Sequence, residues 1–180
     1  MSQLIEFEDE ILEEDNRGMP SKKHSRTQTN LTVLFGNDNR FTTFVELSLD
    51  ATSIDLSQFG LKAKDELIPD VCVYIEPPPE QFDDELDEDE VRVKKMPDLI
   101  IEVLSPKQAI SDLLSKIKAY FSLGVKSCWL VMPSIRVIKV YSQTGTRIVT
   151  KTFGMENSEA FDEVMDVRLP IEKVFKRLTG

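Results

Sequence analysis

At 180 residues, 41% hydrophobic and 30% charged, the chain has the length and composition of one ordinary folded domain with a sizeable core. No window approaches 18 uninterrupted apolar residues, and Met1-Ser2-Gln3-Leu4-Ile5-Glu6 lacks the basic start and apolar run of a secretion signal, so no transmembrane helix and a cytoplasmic location are expected. The net charge of −10 argues against an unaided nucleic-acid binder, yet seven of the eight residues 83–90 are acidic, so the rest of the surface is near neutral and has room for a local basic groove.

In chain order, residues 4–14 alternate acidic and apolar side chains and predict a short helix, broken by Gly18-Met19-Pro20-Ser21. A second helix is predicted from Lys22 to Phe35 and stopped by Gly36-Asn37-Asp38-Asn39. From Phe41 to Asp50 the sequence alternates, with Val45, Leu47 and Leu49 on one side of a strand that has one wet face. Residues 54–62 suggest another strand, and Leu67 to Ile75 a third with Pro69-Asp70 at its start. Pro77-Pro78-Pro79 ends it, and residues 77–96, with the acidic run inside them, read as a solvated excursion between two strands of a single domain spanning 1–180.

Leu99-Ile100-Ile101-Glu102-Val103-Leu104 follows, apolar except for its fourth residue and bounded by Pro97-Asp98 and Ser105-Pro106. It predicts a strand buried on both faces. Ser105-Pro106-Lys107-Gln108 suggests a capping box with proline at the first helical position. The helix it opens carries Ile110, Leu113, Leu114, Ile117 and Phe121 as an apolar stripe and stops at Gly124. Strands are predicted over 128–132 and 135–142 around a tight Pro133-Ser134 turn, with an edge strand over 147–153. Residues 155–166 look irregular, and a last helix runs from Pro170 to Leu178. The strand–helix–strand passage at 99–132 requires a parallel pair, and the earlier strands read as antiparallel meanders. The expected fold is α/β, a mixed sheet flanked by helices. Cys72 and Cys128 fall in strands and read as buried thiols, and with His24 the only histidine, a zinc site of the usual kind is not expected.

The chemistry centres on Glu102. A lone carboxylate in an apolar strand is costly to ionise without a partner. If the strands of Asp70 and Glu102 pair, the two acids meet at one edge of the sheet, where they repel and one is pushed toward protonation. A Mg²⁺ ion removes that conflict, since it takes oxygen ligands and commonly uses one or two carboxylates. Water bound to such an ion is a good nucleophile for a phosphodiester. Asp112, Lys116 and Tyr120, spaced by four, share a helix face roughly 120° from the centre of the apolar stripe, a flank able to border that edge. Plainer readings stand beside these. Glu102 has Arg92, Lys94 and Lys95 as potential structural partners, Lys116 has Asp112 as a surface pair, Asp98 reads as a strand-start residue, Tyr120 as packing and His24 as a surface or packing residue.

The segments Ile68-Pro69-Asp70-Val71-Cys72-Val73 and Pro97–Pro106, then Asp112-Leu113-Leu114-Ser115-Lys116 with Tyr120, Gly124-Val125 and Trp129-Leu130-Val131, together resemble the Uma-two family. That family lies within the restriction-endonuclease-like PD-(D/E)xK nuclease superfamily. The resemblance runs from about residue 4 to 178 and is weaker around Met19-Pro20-Ser21 and His24. It implies a restriction-endonuclease-like sheet flanked by helices, and Asp70 and Glu102 as metal-binding acids; the Val103 carbonyl is a candidate further ligand to the Mg²⁺ or Mn²⁺ they would hold. It also implies that the lysine has moved from the strand, where Leu104 stands, onto the helix as Lys116. Met132 stands where the family usually has aspartate before the proline. Nucleic acid, DNA foremost, is the implied substrate, and a homodimer the implied assembly. Glu13 and Glu14 are the candidates for the carboxylate that the superfamily often adds from an early helix. The alternative is a binding module that keeps the fold without catalysis, favoured by the net acidity and the missing strand lysine.

Overall fold

The computed structural model describes residues 20–63, 65–80 and 89–176. The helix expected over 4–14, Glu13 and Glu14, residues 83–88 of the acidic run, and Leu178 lie outside the described residues.

Ser21 opens helix α1 (Lys22–Gly36), its hydroxyl accepting the His24 N–H at 3.1 Å. The alternating run that follows is two strands rather than one, β1 (Thr42–Val45) and β2 (Leu49–Asp50). Glu46 between them takes a φ of +52°, which turns the chain and ends the alternation. The stretch expected as a strand at 54–62 is a short 3-10 helix, Leu56–Phe59. Asp55 accepts the Ser57 N–H at 3.0 Å and Gly60 closes the turn at φ +73°, so local capping overrides the apolar pattern. The next predicted strand likewise divides into β3 (Glu66–Leu67) and β4 (Val71–Tyr74), with Pro69-Asp70 at the break.

β5 (Leu99–Val103) is buried at every position. Helix α2 (Ile110–Ser122) begins later than the Ser105-Pro106 signal suggested, with Ala109 at its cap. Ser105 and Gln108 do bond reciprocally, the Gln108 N–H to the Ser105 carbonyl at 3.1 Å and the Ser105 N–H to the Gln108 side chain at 3.4 Å. They close a separate turn, whose second position suits Pro106. Gly124, at φ +97°, ends the helical segment as expected. β6 (Ser127–Met132), β7 (Val137–Thr144) and β8 (Arg147–Phe153) follow. The segment read as irregular is a hairpin, β9 (Glu159–Asp162) with β10 (Val167–Pro170), and the last helix is α3 (Ile171–Phe175).

The main sheet runs β1-β4-β5-β6-β7-β8, with β5 and β6 parallel across the α2 crossover and the other pairs antiparallel. This is the mixed α/β sheet flanked by helices that the element order implied. Strand alternation sends side chains to two cores. Val71, Leu99, Ile101, Val103 and Trp129 pack beneath α1, α3 and the β9–β10 hairpin. Cys72, Ile100, Cys128 and Leu130 pack beneath α2 and the β2–β3 pair. Both cysteines are free and buried. No helix among the described residues is long and apolar enough to cross a membrane.

Candidate active site

β4 and β5 pair with Val71 opposite Ile101, so the register continues to set Asp70 level with Glu102 where the two strands diverge. Strand alternation places Glu102, like Ile100, on the α2 side of the sheet, while Asp70, one residue ahead of β4, is reached from α1. The Asp70 carboxylate is held from the backbone: its Oδ2 accepts the Val103 N–H at 2.7 Å. Its other oxygen, Oδ1, lies 3.4 Å from His24 Nε2, and the Asp70 carbonyl accepts the Gln28 amide at 2.9 Å. Two residues on consecutive turns of α1 thus hold Asp70 in place.

Glu102 is buried, at 3% exposure. Its Oε1 accepts the Tyr120 hydroxyl at 2.6 Å, and the Lys116 Nζ stands 3.9 Å from the same oxygen. That separation gives charge attraction without a hydrogen bond. Burial pushes the Glu102 carboxyl up to about 7; Lys116 draws it down, the Asp70 charge raises it, the Tyr120 hydroxyl lowers it, and hydrogen bonding toward Asp70 raises it again. A proton shared beside Asp70 is therefore easily held at neutral pH. The Tyr120 phenol is pushed well above its usual range by burial and then by the Glu102 charge, so it remains a donor. Burial first, and Glu102 second, push the Cys72 and Cys128 thiols up, which makes both inert neighbours of the site.

Asp70, Glu102 and Lys116, singled out from the sequence, lie together. The structural partners considered for Glu102 are engaged otherwise or absent from it: Arg92 pairs with Glu66 at 3.4 Å, and among the described residues neither Lys94 nor Lys95 pairs with Glu102. Lys116 turns to Glu102 rather than to Asp112. Asp98 caps the start of β5, accepting the Ile75 N–H at 2.8 Å and pairing with Lys126 at 3.0 Å.

Two residues with little signal in the sequence border the acids. Tyr120, expected as packing, is the hydroxyl donor to Glu102. His24 is 5% exposed, and its imidazole is held above its ordinary value by the Asp70 hydrogen bond, against burial, with further support from the Asp70 and Glu102 charges and the Val103 carbonyl. Its Nδ1 is buried and, among the described residues, has no hydrogen-bond partner. In the sequence His24 carries only the weaker part of the family resemblance, with Met19-Pro20-Ser21, and its place two residues inside a capped helix start.

Among the described residues no three His, Cys, Asp or Glu side chains gather as a cage for a metal ion. A cation taken up here would therefore rest on two carboxylates, a backbone carbonyl and water. That oxygen-rich, partly hydrated set is the kind Mg²⁺ adopts. The residues fit such an ion on a further ground: burial first, and the Asp70 charge after it, raise the Glu102 carboxyl, and a cation between the two acids would relieve both.

Comparison with known proteins gives matches to a family model and to solved structures. Residues 3–172 match the model of the Uma2 family, described as "Putative restriction endonuclease". A crystal structure of a "putative nuclease belonging to DUF820" from Anabaena variabilis superposes with a TM-score of 0.67 at 23% identity, covering 87% of this chain and 82% of that one. At that identity the likeness shows a shared fold. No curated protein matches.

Proposed function

The chain belongs to the Uma2 family, and on that premise we propose that it is a divalent-cation-dependent nuclease that hydrolyses phosphodiester bonds in nucleic acid, with DNA the first substrate to test. One observation carries the reading: two carboxylates at the divergence of β4 and β5, one of them buried and raised to about 7, face a lysine delivered by the crossover helix. Asp70, Glu102 and the Val103 carbonyl would hold Mg²⁺ or Mn²⁺, and the ion when bound would lower the pKa of water and polarise the phosphoryl oxygens.

The chain's own groups have separable duties. The Val103 N–H and His24 fix the two oxygens of Asp70, so the carboxylate is oriented before substrate arrives. Tyr120 fixes Glu102 in the same way. Lys116, 28% exposed, is placed to orient the attacking water and to stabilise negative charge developing on the phosphate. It occupies the role of the strand lysine that Leu104 replaces. Resemblance to the family also implies a homodimer, which analytical ultracentrifugation would test.

Purified protein incubated with plasmid and with labelled oligonucleotides in Mg²⁺ or Mn²⁺ should cleave them. Asp70→Ala and Glu102→Gln should lose roughly a thousandfold or more, and Lys116→Met roughly a hundredfold. Equal cleavage by the wild type and Asp70→Ala would overturn the reading.

A second reading is a binding module without catalysis. It is favoured by Lys116 and Tyr120, which already compensate part of the Glu102 charge. Calorimetric titration with Mn²⁺ separates the two, because a module with no cation site gives no heat that Glu102→Gln abolishes.

A further inference from the structure

The first turns of α1 carry three cations beside the histidine of the acid site. Lys22, Lys23 and Arg26 line a cavity of about 250 Å³ with Arg136 from the β6–β7 turn, and Pro133 and Phe175 form its apolar wall. Among the described residues no carboxylate lines it and none of the four cations is in an ion pair. Four like charges gathered around one cavity repel one another, in a chain whose net charge is −10. The positive end of α1 adds to the same field. An anion entering the cavity relieves all of these at once.

The chemistry of the lining narrows the anion. Two of the cations are arginines, whose planar forks match the oxygens of a phosphate, and two are lysines acting as point charges. Phe175 offers a half-buried ring on which a sugar or base can rest. The position is equally specific. Lys23 and Arg26 lie on the same first turns of α1 as His24, within about 3 Å of axial rise but on other faces of the helix, so the cavity lies across α1 from the His24 that rests against Asp70.

We propose that this cavity seats an internal backbone phosphodiester of the nucleic-acid substrate, beside the phosphodiester that is cut. The proposal rests on the nuclease reading of Asp70 and Glu102 and adds where the strand is gripped. A terminal phosphate and inorganic phosphate share the same chemistry, so the test separates the three sources.

The full chain is titrated, in EDTA to prevent cleavage, against fluorescently labelled single-stranded and duplex DNA oligonucleotides lacking terminal phosphates, over a series of KCl concentrations. Arg26→Gln/Arg136→Gln and Lys23→Gln are compared with the wild type. These side chains are exposed, and unchanged thermal unfolding checks that the variants fold. The double variant should weaken binding about tenfold or more, and its log Kd against log salt slope should fall by about 1.8 on duplex or about 1.4 on single strands, two phosphate contacts' worth. Lys23→Gln should lose about half of that slope, and the Mn²⁺ heat should be the same in all three proteins. An unchanged slope, binding that requires a 5′-phosphate, or binding of inorganic phosphate without binding of the oligonucleotides would each overturn the proposal. Absence of Mn²⁺ heat in the wild type would instead overturn the nuclease reading, and the anisotropy would still decide the cavity's ligand.

Discussion

Among the described residues two carboxylates, Asp162 and Glu102, are buried on opposite faces of the main sheet, and their surroundings differ in kind. Asp162, 2% exposed, accepts from the Ser127 hydroxyl, from Trp129 Nε1 at 2.8 Å, from the Val164 and Met165 backbone N–H groups at 3.1 and 3.2 Å, and from the Ser142 hydroxyl at 3.5 Å. Glu102, 3% exposed, has the Tyr120 hydroxyl, a lysine 3.9 Å away, and a second acid beside it. Fixed dipoles spread the charge of Asp162 over the β6–β7 strands and the β9–β10 hairpin and tie those elements together. Glu102 is left short of donors and close to a like charge. A buried acid that is saturated holds a fold together, whereas one left short has capacity for something the chain itself does not supply.

The largest effects should come from exchanging the fates of these two acids. Glu102→Gln should abolish cleavage, by roughly a thousandfold or more, without lowering stability near pH 7. Asp162→Ala should strip several buried donors of their acceptor and lower the unfolding free energy by on the order of 4 kcal/mol, while its folded fraction still binds Mn²⁺. Urea unfolding and Mn²⁺ calorimetry on both variants read this directly, and the reverse assignment of effects would break the comparison.

A smaller effect concerns pH. Glu102 is raised from its ordinary 4.5 to about 7, so between those values the folded protein holds a proton that the unfolded chain has released. Stability should therefore fall as pH rises across that window, by on the order of 3 kcal/mol from this group. His24 acts in the same direction. Its imidazolium is favoured by folding, so its contribution is fully present below 6.5 and is lost as pH rises through its raised value. Urea midpoints at pH 5, 6, 7 and 8 should decline in the wild type and flatten in Glu102→Gln. A wild-type profile that climbs through this range would contradict the strained-acid picture. Added Mn²⁺ should restore stability most at the alkaline end.

Smallest is Tyr120→Phe, which removes the hydroxyl donor to Glu102. It should cost about 1 kcal/mol and move the pH midpoint of Mn²⁺ binding upward, since the hydroxyl holds the carboxyl down. An unchanged midpoint would mean that the bond is packing alone.

Much of the site was legible in sequence because its residues violate local patterns. Glu102 stands out in an apolar strand, Asp70 follows a proline at a strand start, and Lys116 sits on the flank of an amphipathic helix. Asp162 was not legible: its segment lacks a long alternation, and its partners come from strands some 20 to 35 residues away in sequence. The break of the first strand at Glu46 was hidden for a similar reason, since a positive φ at a non-glycine residue leaves no mark in composition. His24 and Tyr120 carry the bland signature of helix residues facing inward, and only their neighbours give them a polar task.

By itself the sequence determined the mixed sheet and its crossover helix, because the period of apolar side chains dictates which backbone buries them. It also determined that an acid would be enclosed at position 102, because its neighbours on either side are driven from water. The tertiary structure alone decided that Asp70 stands level with that acid, that His24 and Tyr120 brace the pair, and that the cations of α1 meet Arg136 around one cavity. Those juxtapositions depend on strand register and on helix packing between residues far apart in the chain, and electrostatic interaction depends on distance through space rather than along it.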